Sequence, residues 1–135
     1  MIQEGNMQFD LKLPLLGFDT VSKMELQKID EIFLRLESVG DGPSFTIINP
    51  FALREYSFDI PSSLQALMGI TPESNLLIYN IMILQAPIEK STINFVAPLI
   101  FNTDNQTMAQ IIIDNRADFG IAEPIQKYLK GNENG

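Results

Sequence analysis

Apolar and polar residues alternate strictly over residues 7–13, so that Met7, Phe9, Leu11 and Leu13 fall on one side and Gln8, Asp10 and Lys12 on the other. That two-residue period is the mark of a half-buried strand. Pro14 and Gly17 then turn the chain, and a second run over 23–30 sets Met24 and Leu26 against Glu25 and Gln27. Runs at 32–36 and 44–49 are separated by Asp41-Gly42-Pro43, a turn that predicts neighbouring strands. Alternation returns over 54–60, with Tyr56, Phe58 and Ile60 sharing a side.

Helical periodicity is confined to residues 61–69, where Leu64, Leu67 and Met68 form an i, i+3, i+4 stripe, a serine is placed to cap the start and Gly69 suits a left-handed stop. This predicts one short helix covering an open end or edge of the β structure. Residues 76–84 and 92–101 are apolar at nearly every position, which predicts strands buried on both faces or covered by another element. Pro98 lies inside the second run and has no ladder donor, so a bulge, corner or edge is expected there. A turn over 102–105 and a run over 107–114 complete a hairpin, and the polar stretch 130–135 is expected to fray. Short strands at this spacing predict a mainly-β barrel or sandwich with one short helix.

Length and composition add bounds. At 135 residues with no linker or repeat, the chain reads as a single domain over 1–135 with an ordered core of about 7–128. The formal net charge of -8 comes with scattered Lys and Arg, which argues against direct nucleic-acid binding and for solubility or attraction to basic partners. With neither Cys nor His, disulfides, thiolate metal sites, the usual zinc ligands and Ser-His or Cys-His nucleophiles are excluded. No cofactor is expected. The first six residues lack the pattern of a secretion signal, and the apolar run at 76–84 is too short to span a bilayer, so the expected location is the cytoplasm and no membrane is expected as a partner. The sequon at Asn105 is then a chance match.

Seventeen carboxylates leave room for an acid-base pair, yet no pattern singles one out, and phosphate loops and nucleophile elbows are missing. Phe51, after Asn49-Pro50, and Phe101, before a polar turn, each read as a binding anchor or as an inward-facing core aromatic. The amides of Asn94 and Asn102 read as structural, fixing the ends of an apolar strand by bonds to nearby backbone.

Three stretches, Leu13-Pro14-Leu15-Leu16-Gly17-Phe18, Ser44-Phe45-Thr46-Ile47-Ile48-Asn49-Pro50 and Asn94-Phe95-Val96-Ala97-Pro98-Leu99-Ile100-Phe101-Asn102, together resemble the bacterial flagellar assembly factor FliW family. The likeness continues through Gln110-Ile111-Ile112-Ile113-Asp114 and covers most of residues 7–128; Asn-x-x-Ala-Pro-x-x-x-Asn is its most specific element. One departure is Leu36-Glu37-Ser38, where many members carry Leu-Gln-Ser. The resemblance implies a small antiparallel β-barrel-like domain and no enzymatic activity. It implies two partners: flagellin, bound in the cytoplasm, and the CsrA-type RNA-binding translational repressor, whose block on flagellin synthesis the protein relieves. A monomer is expected when free. The candidate partner-binding residues are Phe51, Arg54, Tyr56, Asn94, Phe101, Asn102 and Asp104. A small carboxylate-dependent hydrolase and a structural adaptor without regulatory exchange are the competing readings.

Overall fold

The computed structural model describes residues 6–15, 17–113 and 119–128; Leu16, Asp114 and the polar stretch 130–135 lie outside these described residues. The β-prone runs become β1 (Asn6–Leu11), β2 (Lys23–Lys28), β3 (Phe33–Ser38), β4 (Ser44–Ile48), β5 (Leu76–Ile83), β6 (Thr92–Ile93), β7 (Leu99–Asn102), β8 (Thr107–Gln110) and β9 (Glu123–Pro124). The helix α1 spans Ser62–Met68. Among the described residues, β1, β2, β3, β4, β5, β7 and β8 pair in that order and β8 returns to β1, closing a barrel; β6 and β9 extend the sheet beyond β5. The β-barrel expected from the resemblance is therefore present. Pairing is antiparallel throughout except at one seam, where Asp10 and Leu11 of β1 run parallel to Thr107 and Met108 of β8.

Alternation along the strands separates two apolar clusters. Phe9, Met24, Leu26, Leu34, Leu36, Ile47, Leu99, Phe101 and Met108 fill the barrel. Their neighbours on β4, β5, β7 and β8, namely Ile48, Met82, Ile100 and Ala109, face the other way into a second cluster with Tyr56, Leu64, Met68, Phe95, Phe119 and Ile125. The barrel wall at β5, β7 and β8 is thus covered on its outside by residues 54–70 and 119–128. This explains why residues 76–84 and 92–101 are apolar on both faces. Outside β1–β3 the wall carries Glu25, Gln27, Arg35 and Glu37 instead, with Arg35 Nε 2.7 Å from Glu37 Oε2 and Lys23 Nζ 3.5 Å from Asp10 Oδ1.

Three expectations need correction. Residues 54–60 form no ladder; Tyr56, Phe58 and Ile60 do share an inward side, but the segment lies across the barrel as cladding, where packing dictates alternation without strand pairing. The run 92–101 is two short strands. Six steps from Ile93 to Leu99 face only three from Tyr79 to Met82 on β5, so residues 94–98 bulge outward, and Pro98 sits in the bulge, where an irregularity was expected. On its other side the run stays in register, Ile111 N and Ile113 N donating to Pro98 O and Val96 O at 3.1 and 2.9 Å. In α1, finally, no serine caps the first turn. Leu64 N and Gln65 N donate to Pro61 O instead, and Leu67 is exposed while Leu64 and Met68 are buried. Gly69 closes the helix at φ 67° as expected.

Candidate partner-binding surface

The seven candidate residues divide by burial. Phe101 is 0% exposed and packs edge-on against Phe9, ring centroids 5.0 Å apart. It belongs to the barrel core and offers no surface anchor, because a strand residue just before a hairpin turn keeps its inward face. Tyr56 is buried as well, and its hydroxyl donates to Phe95 O at 2.6 Å. Asn80 Nδ2 donates to Tyr56 Oη at 3.1 Å and to Asn94 O at 2.9 Å, while Asn94 Oδ1 accepts from Val96 N and Ala97 N at 3.0 and 3.3 Å. These three side chains satisfy the backbone that the bulge at 94–98 takes out of the ladder. Burial pushes the Tyr56 hydroxyl up to about 12, against smaller opposing effects of the Asn80 bond and the Arg54 charge.

Asn102 and Asp104 organise the hairpin between β7 and β8. Asn102 Nδ2 donates to Met68 O at 3.1 Å, beside Asn105 Nδ2 at 2.8 Å, so two amides cap the carboxyl end of α1. Asn102 Oδ1 accepts from Asp104 N at 3.0 Å. The Asp104 carboxylate accepts from Asn75 Nδ2 and Asn75 N at 2.9 and 3.0 Å, bonds that hold its carboxyl below the usual range. The structural reading of Asn94 and Asn102 matches this geometry.

Arg54 ties the cladding together. Its guanidinium lies 4.7 Å from the Phe119 ring centroid and 5.4 Å from that of Phe95, with Nη1 3.5 Å from Glu123 Oε1 and 3.3 Å from Tyr128 Oη. Glu123 also accepts from Gly120 N at 2.5 Å and from the Tyr128 hydroxyl. Burial alone would raise the Glu123 carboxyl, but the bonds from Tyr128 and Gly120 and the charges of Lys127 and Arg54 outweigh it and hold it below the usual range. Nothing in the sequence linked residues 69 positions apart (54 to 123).

Phe51 alone among the seven is an exposed apolar side chain, at 54%. It projects from a 3-10 turn, Pro50–Ala52, in which Asn49 Oδ1 accepts from Phe51 N, and it lines a cleft of about 260 Å3 with Asn49, Leu76, Leu77, Ile78 and Tyr79. The sequence reading missed two further apolar surfaces. Leu15, Phe18, Phe45, Ile81, Ile83 and Ile121 line a cleft of about 240 Å3, and Ile29, Phe33, Thr46, Leu84 and Ile88 line a shallower one of about 220 Å3. The available signals were Leu84, apolar just past the end of β5, and Ile29, apolar just past the end of β2 on the side that carries Glu25 and Gln27. Among the described residues no three carboxylates converge to hold a metal ion, and no helix is long and apolar enough to cross a membrane.

Fold and surface together define a small closed β-barrel, clad along one wall by a helix and a C-terminal segment, with apolar clefts on an acidic exterior. A solved flagellar assembly factor FliW shares this architecture, with a TM-score of 0.80 at 22% identity over 93% of this chain and 89% of that one. The sequence comparisons go further. The family model described as FliW protein matches residues 2–125. The flagellar assembly factor FliW of Sulfurimonas denitrificans is 50% identical over 125 residues, 92% of this chain and 99% of that protein. Flagellar assembly factor FliW 2 of Wolinella succinogenes is 44% identical over 129 residues, 93% of this chain and 95% of its own length. The chain belongs to the FliW family of flagellar assembly factors.

Proposed function

We propose that this protein binds flagellin in the cytoplasm and antagonises the CsrA-type translational repressor, so that flagellin synthesis follows flagellin export. The observation that carries this reading is family membership over nearly the whole chain, at 50% identity to a flagellar assembly factor. The surface is consistent with two kinds of contact. Exposed apolar side chains such as Phe51, Ile83 and Leu84 suit the amphipathic segments that flagellin exposes before assembly. The net charge of -8 suits a repressor whose RNA-holding face must be basic, and repels RNA from the complex. In this reading the protein acts by binding, as a monomer and without a cofactor.

The test is a titration of this protein into a preformed complex of the repressor with flagellin messenger RNA. RNA should be released, and added flagellin should reverse the release. Binding to flagellin with the RNA complex intact at every concentration would leave the chaperone half standing and remove the antagonist half.

A further inference from the structure

The strand β5 is paired unequally along its two edges. On one, residues 76–79 pair with β7 and residues 82–83 with β6. On the other, only Asn80, Ile81 and Met82 meet a partner, β4. The bonds on the paired edge fix which way each backbone group points. Thr103 N donates to Asn75 O and Asn94 N donates to Ile81 O, so odd-numbered residues here direct their amides and carbonyls toward β7 and β6, and even-numbered ones toward β4. Asn80 and Met82 are met there by Ile48 and Thr46.

Leu76 and Ile78 are not. β4 ends at Ile48 and the chain leaves through the Pro50–Ala52 turn; continuing the register would set Pro50 against Ile78, and proline has no N–H to give. Among the described residues no backbone or side-chain group bonds the outward amide or carbonyl of Leu76 or Ile78. Both face the cleft that Phe51 lines. An open strand edge is a ready template for another strand, and proteins normally blunt it with charge, proline or a cover. Here proline stops β4, and the edge of β5 stays bare beside an exposed aromatic.

We propose that this edge receives an extended, basic segment of a partner protein by strand addition. The segment's backbone would bond Leu76 and Ile78, with an apolar side chain laid against Phe51. Charge selects the occupant. Glu73 lies just before the edge, and Asp104 is bonded to Asn75 at the same end. At the other end, Ile32 O accepts from Asn49 N, which brings up the turn carrying Asp30 and Glu31. All four carboxylates are on exposed residues, so a segment with lysine or arginine at both ends fits where an acidic one is repelled. This recognition mode stands apart from the regulatory reading above, since it concerns how a segment is held and not what its release controls.

The experiment follows amide hydrogen exchange in the full chain. The probe is a capped hexapeptide of alternating lysine and isoleucine, and the control is the same peptide methylated on every backbone nitrogen. At saturation the exchange of the Leu76 and Ile78 amides should slow by about tenfold or more, with Leu77 and Tyr79, already bonded to β7, unchanged. The methylated peptide should do nothing. A Glu31→Lys, Glu73→Lys double variant should weaken peptide binding about tenfold at low salt, and Phe51→Ser, which alters an exposed side chain, should weaken it with the fold intact. The proposal is overturned if the peptide binds without protecting Leu76 and Ile78, if the methylated peptide binds equally, or if no binding is seen up to about 1 mM. Protection that rises with protein concentration in the absence of peptide would also overturn it, by giving the edge to a second copy.

Discussion

At the residue scale the polar interior of the cladding is the least forgiving feature. Tyr56 donates to a carbonyl of the bulge and accepts from Asn80, so Tyr56→Phe leaves a buried acceptor and a buried amide proton unmet. Such a loss costs about 1–3 kcal/mol, readable as a lower urea midpoint. The hydroxyl also links stability to alkaline pH. Its folded value of about 12 lies above the ordinary 10.0, so its contribution is complete below 10 and is lost as pH rises toward 12. Tyr79 and Tyr128 are raised too, chiefly by burial. The variant should therefore lose stability less steeply across that window without becoming flat. Glu123 works in the opposite direction. Its folded value is depressed, so its contribution is present above the ordinary carboxylate value of 4.5 and is lost as pH falls through the folded one. Glu123→Gln should cost about 3 kcal/mol at neutral pH by leaving Arg54 without its buried partner, and its deficit against wild type should shrink in acid. An equal deficit at both pH values would mean that the pair contributes through packing alone. The sequence could not supply these pairings. Tyr56 meets groups 24 and 39 positions away, and periodicity carries no information at such range. Asn94 was legible because its bonds reach only two and three residues along the chain.

At the element scale, period and punctuation located strands and helix well, and failed where an extended segment does something other than pair. Residues 54–60 carry the alternation of a strand because one side is buried, and burial is all that alternation reports. The apolar length of 92–101 read as one strand where the structure has two, although Pro98 did mark the bulge between them, and the residues that stabilise it, Asn80 and Tyr56, come from other parts of the chain. The carboxyl end of α1 gives the test at this scale. Gly69 and two asparagine amides converge on its last turn, and a seven-residue helix is too short to persist without tertiary support. Asn102→Ala should lower stability by about 1–2 kcal/mol and speed amide exchange in residues 62–68 more than in β1–β3. Uniform loss across the molecule would show that the amide supports the hairpin and not the helix.

At the scale of the whole molecule, the barrel is closed by short seams, three residue pairs between β4 and β5 and two between β1 and β8. The wall near β5 is also where the apolar clefts gather. The fold was legible in the sequence as the strands of the barrel wall, the helix and the resemblance, whereas the number of strands, the closing seams and the clefts were not, because they depend on residues brought together by closure. Charge, by contrast, is a property of the chain as a whole. Asp41, Glu55 and Glu89 are exposed, and reversing each to lysine changes the charge by two, from -8 to -2 overall. If the acidic field steers the repressor, the triple variant should associate with it about tenfold more slowly at low salt. The difference should fade as ionic strength passes about 0.1 M, where screening shortens the reach of the field to about 10 Å. If flagellin is held through apolar contacts, as the proposed function has it, its association should stay within about twofold of the wild-type rate. Stopped-flow measurement of both partners across a salt series decides the matter. Equal slowing for flagellin and repressor would mean that one acidic surface serves both, and that the two partners compete by charge and not by separate contacts.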